Sequence, residues 1–226
     1  MELIRLTERI WYAPYEEERD RPNLIYILGD EWSLAVDAGH SRAHTEAFYA
    51  ELERAGLPLP ALTVLTHWHW DHTFGMCAVH GLCLANERTD QYLRSFRARL
   101  AREGKEFFLS MDPSIRREYA GGMPVTVVPA DMVFRGELLL DAGNCPVRVF
   151  QAPSPHTDDA TLIEVTGEKV LLIGDAACDT FPDKVKDPVL CGELAEAINA
   201  SCASICLEGH WTPESKEDTI RELFGS

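Results

Sequence analysis

Apolar positions recur along the chain at two alternating periods. Near the N-terminus "LIRL" and "IWYAP" are short strand-like runs, and "NLIYILGDEWSLAVDAG" reads as two strands folded about a Gly-Asp turn. The period then lengthens. In "SRAHTEAFYAELERAG", Ala43, Phe48, Leu52 and Ala55 fall near helical spacing and Gly56 follows, which predicts a helix with a glycine stop. "ALTVLT" is a short buried strand. "TDQYLRSFRARLARE" carries Leu93, Phe96 and Leu100 on one face and charged residues on the other, an amphipathic helix. The stretch 107–122 reads as mixed helix and loop, so a helical insertion is expected over about 87–122.

From Val125 the strand pattern returns in "VTVVP", "MVFRG", "ELLLDA", "PVRVFQAP", "TLIEVTG" and "KVLLIGD". The tail predicts a helix around Gly192 to Ala203, a strand "SICLEG", and a closing helix "PESKEDTIRELF" with a proline near its start. Strands dominate each half, and each half also supplies helices. That predicts an α/β (α+β) arrangement of stacked layers rather than a doubly wound sheet with strict alternation. A single domain spanning 1–226 accounts for the whole length.

Composition narrows the function classes. Hydrophobic residues make up 46% of the chain, enough for a large core. The formal charge of −16 argues against a nucleic-acid backbone as partner, because such binders need Lys/Arg surfaces. The N-terminal "MELIRLTERIWYAPYEEERD" is charged and has no continuous apolar run, so neither a signal peptide nor a membrane anchor is expected. Seven cysteines, an odd number without CxxC spacing, sit mostly in apolar runs. These features predict a reduced, cytoplasmic protein.

The chemistry is concentrated in "THWHWDH", residues 66–72. If the chain leaving "ALTVLT" stays extended, His67 and His69 project to one side and Trp68 and Trp70 to the other. Two imidazoles then converge on one ion. Asp71 and His72, being adjacent, suit a turn into a helix and a second ion, with Gly75 allowing close backbone approach. Remote metal-capable residues follow at strand ends: His156 in "SPHTDD", Asp175 in "LLIGDA" and His210 in "CLEGHW". Each alone has an ordinary reading as a loop or turn residue; the joint pattern carries the weight.

In this order the motifs "THWHWDHTFG", "SPHTDD", "LLIGDA" and "LEGHW", with "SLAVDAGHS" upstream, resemble those of the metallo-β-lactamase superfamily. The resemblance runs from about Asn23 to His210. It implies a four-layer αβ/βα sandwich with two divalent metal ions at one edge of the sheets. His67, His69 and His156 would hold the first ion, Asp71, His72 and His210 the second, and Asp175 would bridge them. Asp37 would support the site from behind the ligands. Pro155 stands where many members have glycine, and "TDD" follows His156 in place of a Thr-Pro-Gly run. Both changes bear on the shape of that loop and leave every ligand in place.

Such a site implies hydrolysis by a hydroxide shared between the metals, with Asp71 orienting the nucleophile. Zinc is the expected metal, with iron or manganese as the other candidates. An aspartate at 175 resembles the hydroxyacylglutathione hydrolase and lactonase branches rather than true β-lactamases. The expected substrate is therefore a small ester, thioester, lactone or phosphodiester. A second class fits the same ligands: the persulfide dioxygenases, which resemble this pattern but use one iron on the equivalents of His67, His156 and Asp175. A non-catalytic metal-bound binding protein is the third reading. No nucleic acid or membrane partner is expected, and a homodimer is left open. Around the ligands, Trp68, Trp70 and Trp211, with Arg94 and Arg97, are the candidates for a substrate rim. The alternatives are core packing for the tryptophans and a solvated helix face for the arginines. His40, His44 and His80 are left as surface or supporting residues, and Cys178 as a buried thiol.

Overall fold

The computed structural model describes residues 2–225, and its strands form two sheets. The first is seven-stranded: β1 (Ile4–Arg5), β2 (Ile10–Ala13), β3 (Leu24–Leu28), β4 (Ser33–Val36), β5 (Leu62–Val64), β6 (Leu82–Asn86) and β7 (Met132–Phe134), side by side in chain order. β1 to β4 are antiparallel neighbours, whereas β4 to β7 run parallel. Parallel neighbours need crossovers. These are α1 (Arg42–Arg54) between β4 and β5, α2 (Trp70–Thr73) between β5 and β6, and α3 (Glu87–Glu103), α4 (Glu106–Leu109) and α5 (Pro113–Glu118) between β6 and β7. The helical segment expected over 87–122 is thus the crossover of the last parallel pair.

The second sheet contains β8 (Glu137–Asp141), β9 (Pro146–Gln151), β10 (Thr161–Val165), β11 (Val170–Gly174), β12 (Ile205–Glu208) and β13 (Glu214–Ser215). Its order is β13-β12-β11-β10-β9-β8, with β11 and β12 parallel across α6 (Pro188–Ala200), and α7 (Lys216–Glu222) closes the chain. Alternation along the strands sorts side chains into layers. Ile25, Ile27, Val64 and Leu84 meet Val147, Val149, Ile163 and Leu172 in a core between the sheets. On the outer face of the first sheet Tyr26 and Ala35 pack on Phe48 and Leu52 of α1, each of the two helix side chains worth roughly 1.5–3 kcal/mol of burial. Leu162 and Leu171 face α6 through Cys191, Leu194 and Ile198 on the far side. This is the four-layer sandwich. No helix among the described residues is long and apolar enough to cross a membrane.

Several boundaries differ from the sequence pattern. "VTVVP" forms no strand: residues 123–130 lack regular structure. Pro124 and Pro129 bracket the run and remove donors, the edge beside β6 is taken by β7, and Val127 is instead buried among the α3–α5 side chains. Strand β6 escapes the pattern, since its "LCLAN" is short and poor in β-branched residues. α6 starts at Pro188, four residues before expected, because Asp187 caps it by accepting from the amides of Val189 and Leu190. The closing helix spans only 216–222, as Glu214–Ser215 pairs with β12. Gly75 does permit the close approach expected of it: a Cβ there would collide with the Ala38 carbonyl and Thr45 Oγ1.

A buried ion pair fastens the 113–122 segment to the β2–β3 loop. Arg21 donates through Nε and Nη2 to the two oxygens of Glu118, at 2.9 and 3.0 Å, and Ser41 Oγ donates to the same carboxylate. Glu118 is 1% exposed. Replacing it with leucine strands a buried guanidinium, so Glu118→Leu should lower the unfolding free energy by about 3–5 kcal/mol in urea titrations.

Candidate metal centre

Every residue of the candidate site lies at the same end of the sandwich. Asp37 follows β4, residues 67–72 follow β5, His156 follows β9, Asp175 follows β11 and His210 follows β12. The two sheets touch there. The amide of Thr161 donates to the Thr66 carbonyl at 2.7 Å, and that of Asn23 to the Gly209 carbonyl at 2.6 Å. Gly174 has φ +53°, and a Cβ on it would lie 2.6 Å from Thr66 Oγ1. The glycine before Asp175 therefore serves both a left-handed turn and the contact between sheets.

Two groups of metal-capable atoms form at this seam. One atom each from His67, His69 and His156 lies within 4.8 Å of the others, and the same holds for Asp71, His72, Asp175 and His210. All seven residues named from the sequence are thus brought together. His69 and His156 approach through Nδ1 and Nε2, 2.9 Å apart. His72 Nε2 lies 3.2 Å from Asp71 Oδ2 and 3.3 Å from Asp175 Oδ1; His210 Nε2 lies 2.9 Å from Asp71 Oδ2 and 3.6 Å from Asp175 Oδ2. Ligand atoms about 2.0–2.1 Å from one tetrahedral ion sit about 3.3 Å apart, which these separations bracket.

On His67, His72 and His156 the outward nitrogens are spoken for, which sets those rings' orientation. His72 Nδ1 donates to Asp37 Oδ2 at 2.7 Å. His67 Nδ1 lies 3.1 Å from Thr66 Oγ1, whose own proton goes to Asp37 Oδ2 at 2.8 Å. His156 Nδ1 donates to the Asp179 carbonyl at 2.5 Å. Each Nε2 lone pair is left facing inward. His67 Nε2, His72 Nε2 and Asp175 Oδ1 are buried without a hydrogen bond. Buried polar atoms left without a partner in both groups are what a cation would satisfy, so the residues present fit a metal.

Electrostatics differ between the groups. Burial pushes His67 well below the ordinary imidazole range and His69 down to about 3, so both stay neutral, as metal ligands must. In the second group burial opposes charge, but the ion pairs win. Asp175, Asp71 and Asp37 hold His72 well above its ordinary value, and His210 is raised to about 9 chiefly by Asp175 and Asp71. In turn the imidazoles hold Asp71 and Asp175 below the usual carboxylate range, against their burial. Two buried carboxylates there demand positive charge, which a divalent ion also provides. Asp20 approaches from outside, Oδ1 4.0 Å from His210 Nδ1, its carboxyl pushed up to about 7 by burial and by Asp71.

The surroundings divide the expected rim. Trp68 packs on His69, and both line a cavity of about 570 Å³ with Tyr92, Phe181 and Val185. Trp211 is 51% exposed, stacks on Tyr15, and stands between cavities of about 470 and 390 Å³. Trp70 is 4% exposed and packs on Phe108 and Phe181. Arg94 is bonded to Asp90 within its own helix at 2.6 Å, and Arg97 is exposed. The cations lining a cavity with His156 are Lys184 and Lys186, which the sequence reading passed over. Cys178 is half-buried and lines that cavity, so it is not the fully buried thiol expected. His40 and His44 are fully buried beneath the site; His80 is exposed.

Other supporting residues lacked any local signal. The "TDD" after His156 docks its loop on α3: Asp158 accepts from Arg88 and from Tyr92 Oη at 2.8 Å, and Asp159 accepts from Thr89 Oγ1 at 2.8 Å. These partners lie 66–70 positions away.

Comparison with known proteins agrees with this geometry. No curated protein matches the chain. Solved structures do, at low identity. A metallo-beta-lactamase from Pontibacter korlensis is 16% identical with a TM-score of 0.68, covering 100% of this chain and 99% of its own. One from Hirschia baltica is 16% identical, TM-score 0.66, over 99% and 96%. A metallo-beta-lactamase family protein from Thermus thermophilus is 20% identical, TM-score 0.64, over 97% and 78%. At these identities the likeness speaks for the fold. The family itself rests on residues 19–189, which match the model of the metallo-beta-lactamase superfamily. With that match over most of its length, the chain belongs to the metallo-beta-lactamase superfamily.

Proposed function

We propose that this protein is a binuclear metal-dependent hydrolase of a small ester, thioester, lactone or phosphodiester. One observation carries the reading. The Asp175 carboxylate faces both groups, Oδ1 3.3 Å from His72 Nε2 and Oδ2 3.9 Å from His156 Nε2. A carboxylate shared in this way suits two ions. His67, His69 and His156 would hold one, and Asp71, His72 and His210 the other. Mixed imidazole and carboxylate donors suit zinc, with iron or manganese as alternatives.

Bound there, two divalent ions supply Lewis acidity and a water acidified to a pKa near 7. The chain does the rest. Asp71 is 5% exposed, with Oδ2 turned to His72 and His210, which would leave Oδ1 to orient the nucleophile. Trp68, Tyr92, Phe181 and Val185 offer an apolar wall for the acyl or alkoxy portion beside His69. Lys184 and Lys186 offer positive charge on the other side of Phe181 to an anionic substituent. An aspartate at 175 supports the thioesterase and lactonase chemistries over lactam cleavage.

Elemental analysis of protein purified without added metal should return about two divalent ions per chain. Such protein should turn over members of a thioester, lactone and phosphodiester panel, and His69→Ala should cut that turnover by at least about 100-fold. One iron per chain, with oxygen uptake on a persulfide, would replace this reading with a dioxygenase. Two ions with no turnover of any panel member, and no effect of His69→Ala in the cell, would point to a binding protein.

Asp37 orients two ligands without being one. Asp37→Asn keeps its shape but loses the carboxylate that fixes His72, so metal affinity should fall by about 10–100-fold in chelator competition. An unchanged affinity would remove Asp37 from the site.

A further inference from the structure

Asn23 precedes β3 and is 0% exposed, and its polar atoms run to the segment that carries His210. Its amide donates to the Gly209 carbonyl at 2.6 Å. The side-chain NH₂ donates to the carbonyls of Glu208 and Trp211, each at 2.7 Å, and Oδ1 accepts from the Tyr15 amide at 2.9 Å. One residue therefore grips the backbone before and after His210, and holds Tyr15 under the Trp211 ring it stacks on.

His210 needs such a grip more than His67, His72 and His156 do. His67, His72 and His156 are each oriented through Nδ1, by Thr66, Asp37 and the Asp179 carbonyl. His210 Nδ1 has only Asp20 at 4.0 Å, beyond hydrogen-bond reach. Its segment lies between β12 and β13 with no helix or strand of its own. Its Nε2 meets Asp71 Oδ2 at 2.9 Å on the side an ion would take, so with an ion bound, orientation of the imidazole has to come through the backbone. Besides Asn23, one backbone bond serves there among the described residues, from the Gly209 amide to the Gly174 carbonyl at 2.9 Å.

We propose that Asn23 is the positioning residue of His210 and thereby sets the affinity of the second metal position. The inference rests on the binuclear reading above and adds a residue that touches neither ligand side chain nor substrate. The chemistry requires an amide. Two protons are donated to two carbonyls and one oxygen accepts an N–H, a set that only asparagine offers in this space. Aspartate has the same shape and no proton to give, so it would set a carboxylate against two carbonyl oxygens.

The test is a cobalt(II) titration of metal-stripped wild type, Asn23→Asp and Asn23→Ser, followed optically and by chelator competition. Wild type should take two ions. In Asn23→Asp the first should bind as in wild type and the second about 10–100-fold more weakly, with Asn23→Ser, which keeps one donor, in between. Asn23→Ser is read alone if the aspartate variant does not fold. Leu194→Ala, a destabilising change behind the second sheet, separates general loosening from the clamp and should keep both affinities. Equal second-ion affinity in Asn23→Asp and wild type, or the same loss in Leu194→Ala, would overturn the proposal. If wild type takes a single ion, the binuclear reading fails instead, and the clamp is judged on imidazole ¹⁵N resonances. Those of His210 should then shift or broaden in Asn23→Asp while His67 stays put; an unmoved His210 would overturn it.

Discussion

The candidate site hangs on the carboxylate of Asp37. It leaves β4 with φ +63°, a left-handed conformation that aspartate tolerates better than most residues but that still costs about 1 kcal/mol. In return its oxygens accept from the Thr66 amide at 2.8 Å, from Thr66 Oγ1 at 2.8 Å and from His72 Nδ1 at 2.7 Å. The end of one strand is thereby bound to the end of its parallel neighbour. The same three bonds settle which nitrogen of His72 faces the centre and, through Thr66, which nitrogen of His67 does. At 3% exposure the carboxylate gains much from being fully bonded and would lose much if any donor were removed.

Parallel pairing explains why the groups collect where they do. β4 and β5 are parallel in one sheet, β11 and β12 in the other, and β9 runs in the same sense as β11 across the antiparallel β10. All five carboxyl ends therefore open at one edge. Side chains leaving them converge without any strand having to bend toward the site. The ligands differ in how they are then held. Those on the first sheet inherit rigidity from Asp37. Those on the second sheet depend on loops pinned elsewhere: His156 through α3, and His210 through the residues before β3.

That division matches what could be read from the amino-acid order. His67, His69, Asp71 and His72 lie within six residues, and His156, Asp175 and His210 each close an apolar run, so strand pattern and residue type together mark them. Stacked layers followed from the same alternation, and their four-layer order from the family resemblance. Apart from Asp37, which the family resemblance marked, supporting contacts were not legible, because hydrogen bonds between residues 66 to 188 positions apart leave no periodic trace. Asp158 and Asp159 read as an odd departure until Arg88, Thr89 and Tyr92 are seen beside them. "VTVVP" failed for the opposite reason: its local preference is for a strand, but β7 takes the place beside β6 and Pro124 and Pro129 bracket the run. For Arg94 the partner that the structure gives it, Asp90 at i−4, stands in the same helix and was present in the sequence.

Charge then bears on what kind of ligand the site admits. The chain is strongly acidic, and the second group buries Asp71 and Asp175 against each other across His72 and His210. Left alone, those carboxylates draw protons onto the imidazoles, and a protonated Nε2 has no lone pair to give. A divalent ion and a proton therefore compete for the same nitrogens of His72 and His210, whereas His67 and His69 are kept neutral by burial at any pH near 7. The two positions are unequal before any metal arrives. The histidine group holds neutral imidazoles, whereas in the aspartate-containing group an ion would displace protons from His72 and His210, and with Nε2 on that ion His210 would have the backbone to hold it. On the binuclear reading proposed above, that asymmetry would fill the histidine group first.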